Sequence, residues 1–254
     1  MPVALQAALW GLLSGSALLI GAAIGWFARL PQRAVAAIMA FGAGVLISAL
    51  SFELIDEAWQ RGGLWPVAGG FLGGALLFTG CNRLLAAWGA RHRKRSHPEL
   101  RVENAREHGE NSSALALGAL LDGIPESIVI GVSLLEGGAV GYVAVIAVFL
   151  SNLPEGLSSA SGMKAEGKSA RFVFLLWAGI ALAAGAAALA GYVLFAGAPP
   201  AAVSIVQAVA AGAILAMIVD TMVPEAFEGT QDYAGLICVS GFLAAFALSK
   251  AAGS

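Results

Sequence analysis

The stretch 121–127 reads LDGIPES and the stretch 150–156 reads LSNLPEG, and each places a Pro-Glu pair inside a long apolar segment. Proline has no backbone N–H, and its ring displaces the carbonyl four residues earlier, at Leu121 and Leu150. At membrane depth, carbonyl oxygens released in this way are tolerated only where they are buried in protein or line a cavity. The two stretches therefore predict two broken helices that build a polar site together.

The composition indicates that the surroundings of this site are lipid. Of the 254 residues, 59% are hydrophobic and 12% are charged, and 33 are glycine. Soluble domains average about 45–50% apolar and about 25% charged residues. Small residues also allow close approach of helices in lipid, where association depends on packing. The net charge of −2 gives no reason to expect a nucleic-acid partner.

Eight apolar stretches are long enough to cross a bilayer, which takes roughly 20 helical residues. The first has neither a basic start nor a cleavage site, so we interpret it as a mature helix rather than a signal peptide. We predict an all-α integral membrane protein with eight transmembrane helices, forming a single domain over residues 1–254. The stretches are 7–28, 34–56, 64–88, 113–135, 139–162, 170–196, 201–225 and 230–250.

Basic residues concentrate in three loops, after the first, third and fifth stretches. If eight helices alternate, these loops face one side, and positively charged loops stay in the cytoplasm. We therefore expect both termini outside, and 89–112 to be a cytoplasmic loop, whose His92, His97 and His108 either scavenge metal or belong to a solvated segment. The loops hold 11 of the 14 Lys and Arg residues: Arg29, Arg33, Arg91, Arg93, Lys94, Arg95, Arg101, Arg106, Lys164, Lys168 and Arg171.

An internal repeat relates the two ends of the chain. Residues 43–58 (AGVLISALSFELIDEA) align without gaps with 211–226 (AGAILAMIVDTMVPEA), and Gly-Phe-Leu recurs at 70–72 and 241–243. Helices one to three therefore resemble helices six to eight and run in the opposite direction. An inverted repeat of this kind is common in transporters, which bind substrate near the midplane at the repeat interface. The predicted arrangement is 3+2+3.

Three carboxylates lie in the two central stretches, at Asp122, Glu126 and Glu155. Asp122 and Glu126 are four residues apart and share a helix face. An ionised carboxylate at mid-helix costs about 2.5–3.5 kcal/mol on insertion scales, and neither apolar span contains a Lys or Arg. A bound cation supplies the missing charge most simply. The alternatives are protonation, or protonated acids that join the helices by hydrogen bonds.

Further acids lie near the helix ends, where a cation path would begin and end. The second stretch closes with Glu53, Asp56 and Glu57, and the seventh contains Asp220 and Glu225. These acids either mark the outer and inner mouths of a path or are acids close to water. Cys81 and Cys238 lie in different stretches, which leaves a disulfide open but favours two buried thiols.

The two consecutive Pro-Glu motifs, with three helices on either side, resemble the ZIP (Zrt/Irt-like) family of divalent metal transporters. The resemblance implies eight helices with both termini outside, a helix-four and helix-five metal site that typically reads His-Asn-x-Pro-Glu-Gly, and sliding of one helix group against the other. It also implies the cytoplasmic membrane of a bacterial cell, and a homodimer, since members are often dimers. Val-Pro-Glu-Ala at 223–226 resembles the family's helix-seven motif.

On the family's pattern this chain is divergent, because both histidines are replaced. Asp122 and Ser151 stand in their places, Gly123 replaces the first asparagine, and Glu126, Asn152, Glu155 and Gly156 match. The implied metal ligands are thus oxygen donors: Asp122, Glu126, Ser151, Asn152 and Glu155. Oxygen ligands suit Mg, Ca and Mn, although zinc also accepts carboxylates. We expect a single metal site that is less zinc-selective than in typical relatives.

The most direct interpretation is a transporter of a divalent cation of the zinc, iron or manganese type, with the metal as substrate. An enzyme is disfavoured, since the sequence has no His-Glu-x-x-His and no nucleophile–base pair among its intramembrane polar residues. The alternative that remains open is a ZIP-like scaffold that carries another solute, or a proton-coupled relative without metal transport.

Overall fold

The structure, a computed structural model, describes residues 1–28, 30–87, 112–135 and 142–252. Arg29 and the predicted loop 89–112, apart from Ser112, lie outside the described residues, and with them the three histidines. The described residues are helical, without a strand. The α-helices are α1 (Val3–Phe27), α2 (Gln32–Ala49), α3 (Ile55–Gly62), α4 (Leu64–Leu85), α5 (Ser112–Ser133), α6 (Tyr142–Ala165), α7 (Ala170–Phe195), α8 (Pro200–Met217), α9 (Val223–Thr230) and α10 (Ala234–Ala252).

Several helical segments could cross a membrane, which confirms the predicted class of all-helical membrane protein. Within the described residues six segments are long and apolar enough, and the last, of 52 residues, contains a 3₁₀ turn at Gln231–Tyr233 whose first residue has φ 45°. The six are Val3–Phe27, Gln32–Gly62, Leu64–Leu85, Tyr142–Ala165, Ala170–Phe195 and Pro200–Ala251.

Two π-helical turns occur at equivalent positions of the sequence repeat. Leu50–Leu54 joins α2 to α3, and Ile218–Met222 joins α8 to α9. Each turn begins at the eighth residue of its aligned stretch, 43–58 or 211–226. Single π-helical turns inside α-helices are rare and occur frequently at functional sites. Each turn makes one continuous rod of the two helices that it joins, α2–α3 or α8–α9. The first rod extends six residues beyond the predicted stretch 34–56, and the second extends five beyond 201–225. The reason is that α3 and α9 are amphipathic rather than purely apolar.

The breaks predicted at the two central prolines are wrong. Pro125 lies inside α5 and Pro154 lies inside α6, and each helix continues through its proline. A proline removes a single backbone hydrogen bond, and packing against neighbouring helices can hold the remaining turns in place. The proline effect is therefore local: it frees the carbonyls of Leu121 and Leu150 without ending either helix.

Glycines interlock α1, α5, α6 and α7, which we call the motif group. A Cβ added at Gly21 of α1 would lie 2.1 Å from the Leu153 carbonyl oxygen of α6. Both Gly11 of α1 and Gly131 of α5 lie against Ala188 of α7. A Cβ added at Gly11 would lie 2.5 Å from the Ala188 side chain, and one added at Gly131 would lie 1.9 Å from the Ala188 carbonyl oxygen. These helices touch backbone to backbone, so they can shift against each other only by separating.

The remaining helices, α2, α3, α4, α8, α9 and α10, form the rod group, which is interlocked in the same manner. A Cβ at Gly44 would lie 1.8 Å from the Cys238 carbonyl oxygen, and one at its repeat equivalent Gly212 would lie 1.9 Å from the Phe71 carbonyl oxygen. Thus α10 packs along α2, and α4 packs along α8. The third helix of each repeat lies on the second helix of the other.

The boundary between the two groups is looser. It is formed chiefly by α2 against α6 and by α5 against α8. Gly42 of α2 faces α6, yet a Cβ there would lie 3.3 Å from Pro154 Cγ and 3.5 Å from Ser151 Cα. That spacing is tight to ordinary van der Waals contact rather than overlap. The Pro-Glu motifs therefore lie on the boundary at which helices are least interlocked.

Candidate metal site

The three central carboxylates are buried inside the helix bundle. Asp122 and Glu126 are each 2% exposed, and Glu155 is 7% exposed. Lys164, in the last turn of α6, is the basic residue that α5 and α6 contain. Ionised carboxylates this deep in a membrane protein require compensation by a partner, a proton or a cation. The burial fits the predicted intramembrane polar site.

Glu126 lines a small cavity between the two groups. The cavity measures about 10 Å³, which is about the space of one water molecule. Its other walls are apolar and come from the rods as well as from the motif helices: Leu46, Ala49, Leu50, Leu54, Val129, Ala144, Ala147, Val148 and Ile214. Because both groups contribute walls, the Glu126 carboxylate lies at the boundary where a relative movement of the groups would change its surroundings.

Ser151 and Asn152 are buried and make hydrogen bonds inside the motif group. The Ser151 hydroxyl donates to the Val148 carbonyl oxygen at 2.9 Å, within α6. The Asn152 amide nitrogen donates to the Ser14 carbonyl oxygen of α1 at 3.0 Å. These bonds orient both side chains. They leave lone pairs on the Ser151 hydroxyl oxygen and on the Asn152 carbonyl oxygen, and these lone pairs can coordinate a cation.

The five predicted ligands do not form a closed acidic cluster in this arrangement. Among the described residues, no three His, Cys, Asp or Glu side chains are grouped closely enough to hold a metal ion. Asp122 and Glu126 lie on α5, the other three on α6, and α5 and α6 contact each other only slightly. The structure therefore buries all five predicted ligands without assembling three acids.

Glu225 lies inside the protein, although the sequence interpretation placed it at a helix-end mouth. It is 5% exposed and accepts a hydrogen bond from the Ser158 hydroxyl of α6, which is fully buried. The sequence analysis missed Ser158. Two signals pointed to this pair: 224–225 is a third Pro-Glu pair, and Ser158 follows Glu155 by three residues on the same helix face.

The other predicted path acids have separate partners. Glu57 accepts from Gln207 Nε2 at 2.9 Å and lies 3.7 Å from Arg61, so it belongs to a polar network inside the rod group. Glu53 accepts from the Ser249 hydroxyl at 2.5 Å, and Asp56 from Gln60 at 2.8 Å. Asp220 is exposed on the second π-helical turn. The structure does not gather these four acids into one group.

Comparison with known proteins identifies the family. No family model matches the chain. The zinc transporter ZupT of Escherichia coli O7:K1 (strain IAI39 / ExPEC) is 30% identical over 227 residues, which is 85% of each chain. This similarity extends over nearly the whole chain, as does the pattern of Pro-Glu motifs and flanking repeats. The chain therefore belongs to the ZIP family, whose members are membrane transporters rather than enzymes.

Proposed function

We propose that this protein transports a divalent metal cation, of the zinc, iron or manganese type, across the cytoplasmic membrane by alternating access. The proposed site is made of Asp122, Glu126, Ser151, Asn152 and Glu155. The observation that carries it is the burial of three carboxylates, each at most 7% exposed, on two helices whose one basic residue, Lys164, is at the end of α6. A transported cation balances this charge while it passes.

The zinc transporter ZupT supports zinc as one cargo. The donor set, however, is oxygen throughout, since no histidine occupies either central motif. Carboxylate and carbonyl oxygens suit manganese and magnesium, whereas imidazole suits zinc, copper, iron and nickel. We therefore propose a single site of broad selectivity, at which manganese competes with zinc more effectively than at a histidine-containing site.

Alternating access requires two parts that move relative to each other, and two observations support such parts here. Close glycine contacts join the helices within the motif group and the helices within the rod group, whereas a Cβ at Gly42, at the boundary, would meet its neighbours at 3.3 Å or more. The π-helical turns recur at equivalent repeat positions. We propose that the groups slide along this boundary, with the ligands on the motif group.

The full proposed architecture is eight spans in a 3+2+3 inverted repeat, with both termini outside. The 52-residue segment Pro200–Ala251 supports two of these spans, since the turn at Gln231 divides it, and α5 supplies another. The positions of Arg33, Lys164 and Lys168 support one cytoplasmic face for the basic loops.

The test is metal uptake into liposomes by the purified protein, measured by elemental analysis for Zn²⁺, Mn²⁺, Fe²⁺, Co²⁺, Cd²⁺ and Mg²⁺. We expect saturable uptake that is lost in a Glu126→Ala/Glu155→Ala variant. The matched control, Glu228→Ala/Asp232→Ala, removes two exposed acids and retains uptake. Folded protein that takes up none of the ions would instead favour the alternative, a ZIP-like scaffold that carries another solute or couples protons without metal. Zinc uptake unaffected by excess Mn²⁺ would contradict the proposed selectivity.

A further inference from the structure

The hydrogen bond between Ser158 and Glu225 crosses the boundary between the two groups. Ser158 belongs to α6 of the motif group, and Glu225 belongs to α9 of the rod group. By contrast, the bonds of Asn152 to Ser14 and of Ser161 to Gly25 stay inside the motif group. Relative movement of the groups leaves the latter two bonds intact, but it must alter the bond that crosses.

The crossing bond and the cavity lie at different positions along α6. Val148 lines the cavity beside Glu126, and Ser158 follows it by ten residues on α6. At a rise of 1.5 Å per residue the two positions are about 15 Å apart along the helix. Glu155 lies between them, one turn before Ser158. A cation that leaves the central site toward α9 therefore meets the Ser158–Glu225 contact next.

The contact is closed to water in this structure. Ser158 is fully buried, Glu225 is 5% exposed, and Met222, one turn before Glu225 on the same rod, is 1% exposed. Glu225 also lies three residues after the π-helical turn Ile218–Met222, a segment type that occurs frequently at functional sites. The carboxylate that makes the crossing bond thus lies next to an irregular turn of the rod.

We infer that Ser158 is a positioning residue of the transport cycle: its hydroxyl holds the Glu225 carboxylate across the boundary, closes the α9 end of the path, and releases it when the groups slide. The inference rests on the proposed transport function and goes beyond it, because Ser158 lies outside both Pro-Glu motifs. A single hydroxyl suits this role, since a hydrogen bond to a charged group is worth about tenfold or more in a conformational equilibrium and can still break in each cycle.

The experiment measures opening directly, without metal. Cys81 and Cys238 are replaced by serine, and Met222→Cys becomes the reporter because it shares the helix face of Glu225. We expect Ser158→Ala to raise the rate of labelling by a small thiol reagent on the order of tenfold. Ser161→Ala, which removes a hydroxyl one turn later on the same helix but within the motif group, leaves the rate unchanged.

A double-mutant comparison guards against a folding defect. Glu225→Ala raises labelling at least as much as Ser158→Ala does, and the Ser158→Ala/Glu225→Ala variant does not exceed Glu225→Ala, because the Ser158–Glu225 bond is already lost in that variant. An unchanged rate in Ser158→Ala, an equal rise in Ser161→Ala, or additive effects would overturn the inference. If wild-type protein takes up no metal but the labelling response holds, the contact stands and the proposed cargo fails. If uptake holds and labelling does not respond, the contact alone fails.

Discussion

The two rods of the repeat share a backbone plan and differ in what their equivalent glutamates contact. Glu57 follows the first π-helical turn, and Glu225 occupies the aligned position after the second. Glu57 is held by Gln207 and Arg61 within the rod group, whereas Glu225 is held by Ser158 of the motif group. The sequence repeat thus places the same acid twice, once in a contact within the rod group and once in a contact between the two groups.

The difference in charge between the two surroundings reinforces this comparison. Arg61, a basic neighbour, lies 3.7 Å from Glu57, and the Glu57 side chain is 31% exposed. Glu225 is 5% exposed and faces a neutral hydroxyl. Glu57 thus has a basic neighbour on its own rod and is partly open to water, whereas Glu225 is buried at its contact with the motif group. We therefore rank Glu225 above Glu57 as a residue of the path.

The largest expected effect separates these two glutamates. Glu225→Ala should lower metal uptake on the order of tenfold, because it removes the charged acceptor of the hydrogen bond between the two groups. Glu57→Ala should change uptake by less than about twofold, because it removes a partly exposed ion pair. Both are measured as initial uptake rates at equal protein density in liposomes. Equal losses in the two variants would show that both halves of the repeat line the path.

Glycine-to-alanine variants test the packing within the rod group and at the boundary through the stability of the protein. Gly44→Ala and its repeat equivalent Gly212→Ala place a Cβ within 2 Å of a backbone carbonyl oxygen, so each should destabilise the protein by about 1–3 kcal/mol, as overpacked interfaces do. Gly42→Ala, at the boundary, should be tolerated within about 0.5 kcal/mol. Thermal melting in detergent measures all three. A large loss in Gly42→Ala would contradict a loosely packed boundary between the groups.

Much of the fold was predictable because apolar length and repeat spacing are properties of the sequence. Each apolar stretch overlaps observed helix over most of its described residues, and the alignment of 43–58 with 211–226 matches the positions of both π-helical turns. The turns themselves were not predictable. A π-helical turn depends on how one rod packs against the other group, and nothing in the composition of LSFEL or IVDTM distinguishes it from an ordinary helical turn.

The candidate site was predictable in its ligands but not in its contacts. A buried acid is conspicuous in an apolar stretch, which is why Asp122, Glu126 and Glu155 were found. Ser158 is one of many serines in these helices, and its importance comes from its position opposite Glu225, on a segment 67 residues away along the chain. Helix breaks at Pro125 and Pro154 were wrongly predicted, because the loss of one backbone bond does not outweigh packing on both sides of the proline.

The smallest expected effect concerns Gln207, the residue that bridges Glu57 and Arg61. Its side chain is 1% exposed, accepts from Arg61 at 2.9 Å and donates to Glu57 at 2.9 Å. Gln207→Ala removes both bonds at once, but water can partly replace them at the exposed Glu57 carboxylate. We therefore expect a loss of about 1–2 kcal/mol in stability, read from thermal melting.

Uptake and the labelling of Met222→Cys should both remain at wild-type levels in Gln207→Ala, because the bonds of Gln207 to Glu57 and Arg61 lie within the rod group. Ser204→Ala is the matched control, since Ser204 lies one turn earlier on α8 and donates to the Ala58 carbonyl oxygen at 2.6 Å. A fall in uptake comparable to that of Glu225→Ala would place Glu57 and its partners on the path. In that case the two halves of the repeat would be functionally equivalent, and the distinction between an internal and a crossing glutamate would fail.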